Sequence, residues 1–198
     1  MSSQNNERKM SLDDSQPMEC NVSNEIKSLG DEDDEDDAII TLISNDKINF
    51  KIKKSCIYIK NKPETKSYDT EYKERAPKTI CGLVKVMCDT DPYEQKFNLN
   101  VNSECLKIIV EHLITWGGNT PPLPKKPLTS SNLKENGCDQ KDIDLLNNIP
   151  MNSLCELIQA ANYMECMFFL EICCSKVASF LKGKPVTEFR KILGDVNE

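Results

Sequence analysis

The segment 152–194, NSLCELIQAANYMECMFFLEICCSKVASFLKGKPVTEFRKILG, decides the fold. Ser153 and Glu156 stand three apart, in the S-x-x-E order of a capping box, where each side chain bonds the other residue's backbone N–H. Leu154, Leu157, Ile158 and Ala161 then recur at helical spacing. A second helical stripe follows at Phe169, Ile172, Lys176 or Val177, and Phe180. Gly183 stops that helix and Pro185 restarts the chain, so Thr187 to Leu193 suits one more short helix.

Upstream the period changes to two. Ile40 and Leu42 alternate with polar residues, Asn45-Asp46 marks a turn, and Ile48, Phe50 and Ile52 alternate again. This pattern predicts a β-hairpin with one buried face. Residues 54–60 suit a short helix. Ile80, Leu83, Val84 and Met87 fall at i, i+3, i+4 and i+7, one face of a helix. Phe97, Leu99 and Val101 read as a third short strand. Ser103 is placed to cap a helix whose stripe is Leu106, Ile109, Val110 and Leu113, ended by Gly117-Gly118. The fold class is α+β.

With 38% hydrophobic residues and a mean hydropathy of −0.51, the 198-residue chain is too polar for one packed unit throughout. Residues 1–37 are polar, end in DEDDEDD at 31–37, and read as a disordered acidic tail, either a solvating segment or a bait for a basic partner. Order is expected over 38–195. Within it, 38–116 forms the N-terminal part, with 61–77 as a loop insertion rich in Lys, Glu, Tyr and Pro. Residues 117–141 form a Pro-rich loop, and 142–195 a helical C-terminal region. The TPPLPKKP run at 120–127 reads as a spacer or as a Pro-rich ligand for an aromatic groove.

Several function classes are set aside. Net charge is −7, and 31–37 alone contributes −7, so the rest sums to zero and predicts no basic face for nucleic acid. No apolar run approaches the roughly 18 residues of a membrane span. Met1 to Met10 lack the apolar stretch of a signal peptide, which points to the cytoplasm and nucleus. The ten cysteines are then expected as reduced thiols. No C-x-x-C pair occurs and His112 is the sole histidine, so neither a metal nor another cofactor is expected. Cys155, Cys166, Cys173 and Cys174 lie in helical patterns and read as small buried apolar groups. His112, beside the helical stripe, reads as a packing or surface residue. With no Gly-rich phosphate loop and no convergent acid–base set, the chain does not read as an enzyme; a cysteine nucleophile paired with His112 is the remaining catalytic alternative.

Leu154, Glu156-Leu157-Ile158, Ala160-Ala161-Asn162-Tyr163, Leu170, Cys174, Val177-Ala178, Lys182-Gly183-Lys184 and Arg190-Lys191 form an ungapped run. This run resembles the C-terminal helical region of the Skp family of SCF ubiquitin-ligase adaptors. ITLISNDKINF at 40–50 resembles the family's first two strands. LNVNSECLKIIVEHL at 99–113 resembles its third strand and following helix, and TPPLP sits at its Pro-rich loop. The resemblance spans 38–194. It implies a BTB/POZ-like fold, a small β-sheet covered by α-helices with extra C-terminal helices. It also implies a non-enzymatic adaptor that joins a cullin scaffold to F-box proteins. Asn162, Tyr163, Val177 and Phe180 are implied to meet the cullin, and Leu154, Cys155, Leu170 and Cys174 the F-box. After Lys184 the pattern departs: Pro185-Val186-Thr187 replaces the family's Pro-Glu-Glu and brings the proline one place forward. Two further family helices, which help hold the F-box, have no counterpart before Glu198. An elongin-C-like adaptor and a self-associating BTB domain are the alternatives; the stretch through Lys182-Gly183-Lys184 favours the Skp reading over the former.

Overall fold

The computed structural model describes residues 38–60 and 79–193. The acidic tail at 1–37 and the insertion at 61–77 lie outside those residues. Strands β1 (Ile39–Ile43) and β2 (Asn49–Lys53) form the expected hairpin. Their register sets Leu42 opposite Phe50 and Ile40 opposite Ile52, so the alternating apolar residues share one face. Ser44 closes the turn: its N–H donates to the Ile48 carbonyl at 3.0 Å, and its hydroxyl oxygen accepts from the Ile48 N–H at 2.9 Å. Strand β3 (Lys96–Asn98) lies parallel to β1 on its other side, giving the order β2-β1-β3. Leu99 and Val101 are buried beyond the end of that strand, so the alternation outruns the pairing.

A parallel pair needs a crossover. One 3-10 turn (Lys54–Ile57) stands where a short helix was expected, and α1 (Gly82–Thr90) stands before β3. The helices α2 (Ser103–Trp116), α3 (Gln140–Leu145), α4 (Met151–Tyr163), α5 (Met167–Leu181) and α6 (Val186–Leu193) complete the order. A single apolar cluster runs from the sheet's inner face (Leu42, Phe50, Phe97) through α2 (Leu106, Ile109, Leu113) into α4 and α5 (Leu157, Phe169, Ile172). The molecule is thus the small sheet with helices and added C-terminal helices that the resemblance implies.

Two helix starts differ from the expected ones. Asn102, not Ser103, caps α2, its Oδ1 accepting from the Cys105 N–H at 2.8 Å. Ser103 is the first helical residue, and its N–H donates instead to Asp46 at 3.0 Å. The capping box at Ser153 and Glu156 does not form: α4 already begins at Met151, after an extended Pro150. Glu156, one turn inside, accepts from the Asn102 side chain at 3.3 Å.

The segment after α2 is a folded loop, not a spacer. Pro121, Pro124, Leu133 and Cys138 are buried, which also removes two prolines from any Pro-rich docking motif. Asn136, wholly buried, is its hub. Its Oδ1 accepts from Thr129 N–H, Thr129 hydroxyl and Ser130 N–H at 2.7, 3.1 and 3.3 Å. Its amide donates to the carbonyls of Ser130 and Asn132 at 2.6 and 2.7 Å. The loop is fastened to α5 by Lys182, which donates to the Leu128 carbonyl at 2.6 Å, and by Lys126 at 3.1 Å from Glu171.

His112 is a packing residue with a polar partner. Its Nδ1 lies 2.8 Å from Asp142 Oδ1, which also accepts from Trp116 Nε1 at 3.1 Å. Its ring meets that of Phe169, with centroids 4.4 Å apart. Both His112 and Asp142 are 1% exposed. Replacing Asp142 by Ala strands these two groups on α2, and is expected to lower stability by about 1–3 kcal/mol for each; denaturant melts of the two proteins measure it.

The turn between α4 and α5 docks on the start of α1. The Glu165 carbonyl accepts from the Gly82 N–H at 3.3 Å and the Met164 carbonyl from the Leu83 N–H at 3.2 Å. A Cβ on Gly82 would stand 2.8 Å from Glu165 Cβ, closer than carbon atoms pack. Gly82→Ala therefore forces the turn off α1. A loss of about 1–3 kcal/mol is expected; an unchanged melting temperature would show that the turn moves without cost.

Candidate protein-binding surface

The outer sides of α4, α5 and α6 carry Tyr163, Met167, Phe180, Val186 and Leu193, five of the nine exposed large apolar groups among the described residues. Helix α4 turns Leu154, Leu157, Ala160 and Ala161 into the core, which leaves Asn162 and Tyr163 on the outside at its last turn. Tyr163 is 44% exposed. Its hydroxyl oxygen accepts from the Asn100 N–H at 3.5 Å, a long contact that tethers it to the segment after β3. Glu165, at φ 55°, occupies the left-handed position that commonly ends a helix, and so turns the chain into α5 directly after Tyr163.

The expected cullin residues form two patches. Phe180 lies about 20 Å along α5 from Met167, the residue that opens the helix after the turn. Asn162 and Tyr163 therefore sit at one end of α5, and Val177 and Phe180 toward the other. Val177 is half-buried against the core, while Phe180 is 39% exposed with Lys176 Nζ 5.1 Å from its ring centre. The expected F-box residues also divide. Leu154 is fully buried and faces its own domain, because the α4 stripe that carries it is the inner one. Cys155 and Leu170 are half-buried, and Cys174 is exposed.

Three exposed apolar residues add to this surface without having been singled out from sequence: Met167, Val186 and Leu193. Val186 is 77% exposed. Val186 and Leu193 stand seven apart, a helical repeat, but the expected helix began one residue later, at Thr187, and excluded Val186. Partly exposed aromatic and aliphatic groups on packed helices suit the docking of an apolar partner surface.

Six thiols, those of Cys88, Cys105, Cys138, Cys166, Cys173 and Cys174, are shifted away from reactivity. A hydrogen bond with Cys81, then burial, raises the Cys166 thiol; burial raises Cys173, and pushes Cys138 up to about 11. Burial also raises Cys174, partly offset by Lys126. A nucleophilic cysteine needs the opposite shift, and His112 is engaged by Asp142. Among the described residues, no cluster of His, Cys, Asp and Glu is placed to hold a metal ion, and no helix is long and apolar enough to cross a membrane. For Cys174 the folded-state value lies above the ordinary 9.0. Alkylation by iodoacetamide, followed by mass spectrometry, is therefore expected to be slow near neutral pH and still rising as pH passes 9.0. A plateau below neutral pH would mark an activated thiol.

No family model matches the chain. The S-phase kinase-associated protein 1 homolog of Tetrahymena thermophila is 36% identical over 119 residues, which cover 59% of this chain and 70% of that protein. SCF ubiquitin ligase complex protein SKP1a of Dictyostelium discoideum is 28% identical over 130 residues, 53% of this chain and 80% of that protein. The E3 ubiquitin ligase complex SCF subunit sconC of Arthroderma benhamiae is 31% identical over 99 residues, 50% and 59% respectively. A small sheet of order β2-β1-β3, an added helical layer and these identities agree, and the chain belongs to the S-phase kinase-associated protein 1 family.

Proposed function

We propose that the chain is the adaptor subunit of an SCF-type E3 ubiquitin ligase, a non-catalytic protein that bridges a cullin scaffold and F-box substrate receptors. Family membership supports the ligase role, since the related proteins are named as SCF subunits. The observation that carries the bridging role is the state of Tyr163. It ends a helix whose aliphatic groups are packed, yet it is 44% exposed, with its hydroxyl 3.5 Å from the Asn100 N–H. Glu156, two turns earlier on α4, bonds Asn102, so the exposed side of the helix is fastened to the sheet's loop at two points. Val186 and Leu193 then offer separate apolar area for a second partner, as a bridge requires.

The division of roles is testable within one helix. Tyr163→Ala is expected to weaken cullin binding by roughly 1–3 kcal/mol while leaving folding nearly intact. Leu157→Ala removes a fully buried side chain and is expected to cost about 2–5 kcal/mol of folding stability. Melting curves and calorimetry with a cullin measure the pair. If Tyr163→Ala leaves both folding and cullin binding unchanged, the bridging role of this surface is wrong.

A further inference from the structure

The zero charge of the chain beyond 31–37 hides an uneven distribution. Residues 47–60 contain Lys47, Lys51, Lys53, Lys54 and Lys60 and no acidic residue. The strand registers place part of this charge on one surface. Thr41 pairs with Lys51 on one side and Lys96 on the other, and Ile39 pairs with Lys53. Paired residues share a face, so Lys51, Lys53 and Lys96 project from the sheet side opposite the core, around Ile39, Thr41, Ile43, Asn49 and Asn98. The three lysines are exposed, and Ile39 is 57% exposed. Among the described residues, this face of the sheet carries no Asp or Glu.

Of the nearby carboxylates, Glu94 is taken up by backbone N–H groups, and Asp46 and Asp89 are engaged away from this face. Glu94 accepts from the N–H groups of Gln95 and Lys96 at 2.8 Å each. Asp46 is held by Ser103, beyond the far end of the hairpin. Asp89 takes the Tyr58 hydroxyl at 3.0 Å and pairs with Lys85.

The seven carboxylates of 31–37 join the sheet directly, since Asp37 precedes Ala38 and β1 begins at Ile39. Seven extended residues reach at most about 25 Å. Lys51 lies only about 7 Å along β2 from Lys53, the residue beside the start of β1. We infer that the acidic run 31–37 folds back over this lysine face and covers it from within the same chain. Charge complementarity and the short covalent tether both favour this occupant over an external anion, because the tether holds the run at high effective concentration. The inference is independent of the adaptor role.

Zero-length carbodiimide crosslinking of the full chain tests it. The reagent joins a carboxylate to a lysine amine with loss of water, and peptide mapping of the monomer band locates the amide. Crosslinks from 31–37 to Lys51 and Lys96 are expected. They should disappear in 1 M salt, where the screening length is about 3 Å. They should also be lost in the double variant Lys51→Glu, Lys96→Glu, including those to the remaining Lys53. Circular dichroism of that variant checks that the exposed substitutions leave the fold intact. Crosslinks spread evenly over Lys107, Lys125 and Lys134, or insensitive to salt, would overturn the inference. Crosslinks confined to covalent dimers would also overturn it and place a neighbour's acidic run on the face.

Discussion

The contact between the α4–α5 turn and the first residues of α1 is the joint on which the molecule depends. A helix start has backbone N–H groups with no intrahelical acceptor. Here two of them, on Gly82 and Leu83, are satisfied by carbonyls from a turn more than eighty residues away in sequence. The Cys81 thiol points at the same Met164 carbonyl, at 3.3 Å. Helix α1 is thereby fixed to the C-terminal helices, and the C-terminal helices to the sheet domain. The approach is so close that a Cβ at position 82 would meet the Glu165 side chain at its Cβ, 2.8 Å away.

The second tie runs through Asp142. It gathers the last turns of α2, through His112 and Trp116, to the short helix α3. Asp142 Oδ2 and His112 Nε2 are buried without a partner, so the pair retains an incomplete set of hydrogen bonds in a region otherwise closed to water. The loop between these helices is held by its own hub and by two lysine contacts to α5. The chain from 117 to 150 thus returns to α4 by a fixed route, and the helices that bear the exposed apolar groups keep a defined relation to the sheet.

Much of this was legible in the sequence, and the part that was not has common causes. The hairpin was readable because one face is buried and side chains alternate with period two. The stripes of α2 and α4 were readable because each helix has one wet side. Contacts between distant residues left no local mark: His112 finds Asp142 thirty positions on, and Asp46 takes the N–H of Ser103 and so shifts the cap to Asn102. The proline before α4 set a helix start that an S-x-x-E pattern seemed to place later. The Pro-rich loop looked like a spacer because its core is a polar side chain, Asn136, and hydrophobic pattern does not register such a core. At the candidate surface, Leu154 lay on the stripe that the sequence itself marked as inward, and only the resemblance placed it outward. The lysine face leaves no mark on net charge, which sums over all directions, whereas a strand register separates two sides.

Asn136 is followed by Gly137, the pairing in which asparagine is chemically least durable. Loss of its side-chain nitrogen proceeds when the next backbone nitrogen attacks the side-chain carbonyl carbon, and glycine offers that attack little hindrance. In the folded loop the amide is gripped by five hydrogen bonds, and the Gly137 N–H is directed at the Lys134 carbonyl at 3.0 Å. Both reacting groups are engaged by the structure they maintain. Each opening of the loop releases both at once. The product carboxylate would then face the carbonyls of Ser130 and Asn132 with no hydrogen to give them, so the loop could not close as before. The hub is therefore also a clock, advancing only while the loop is open.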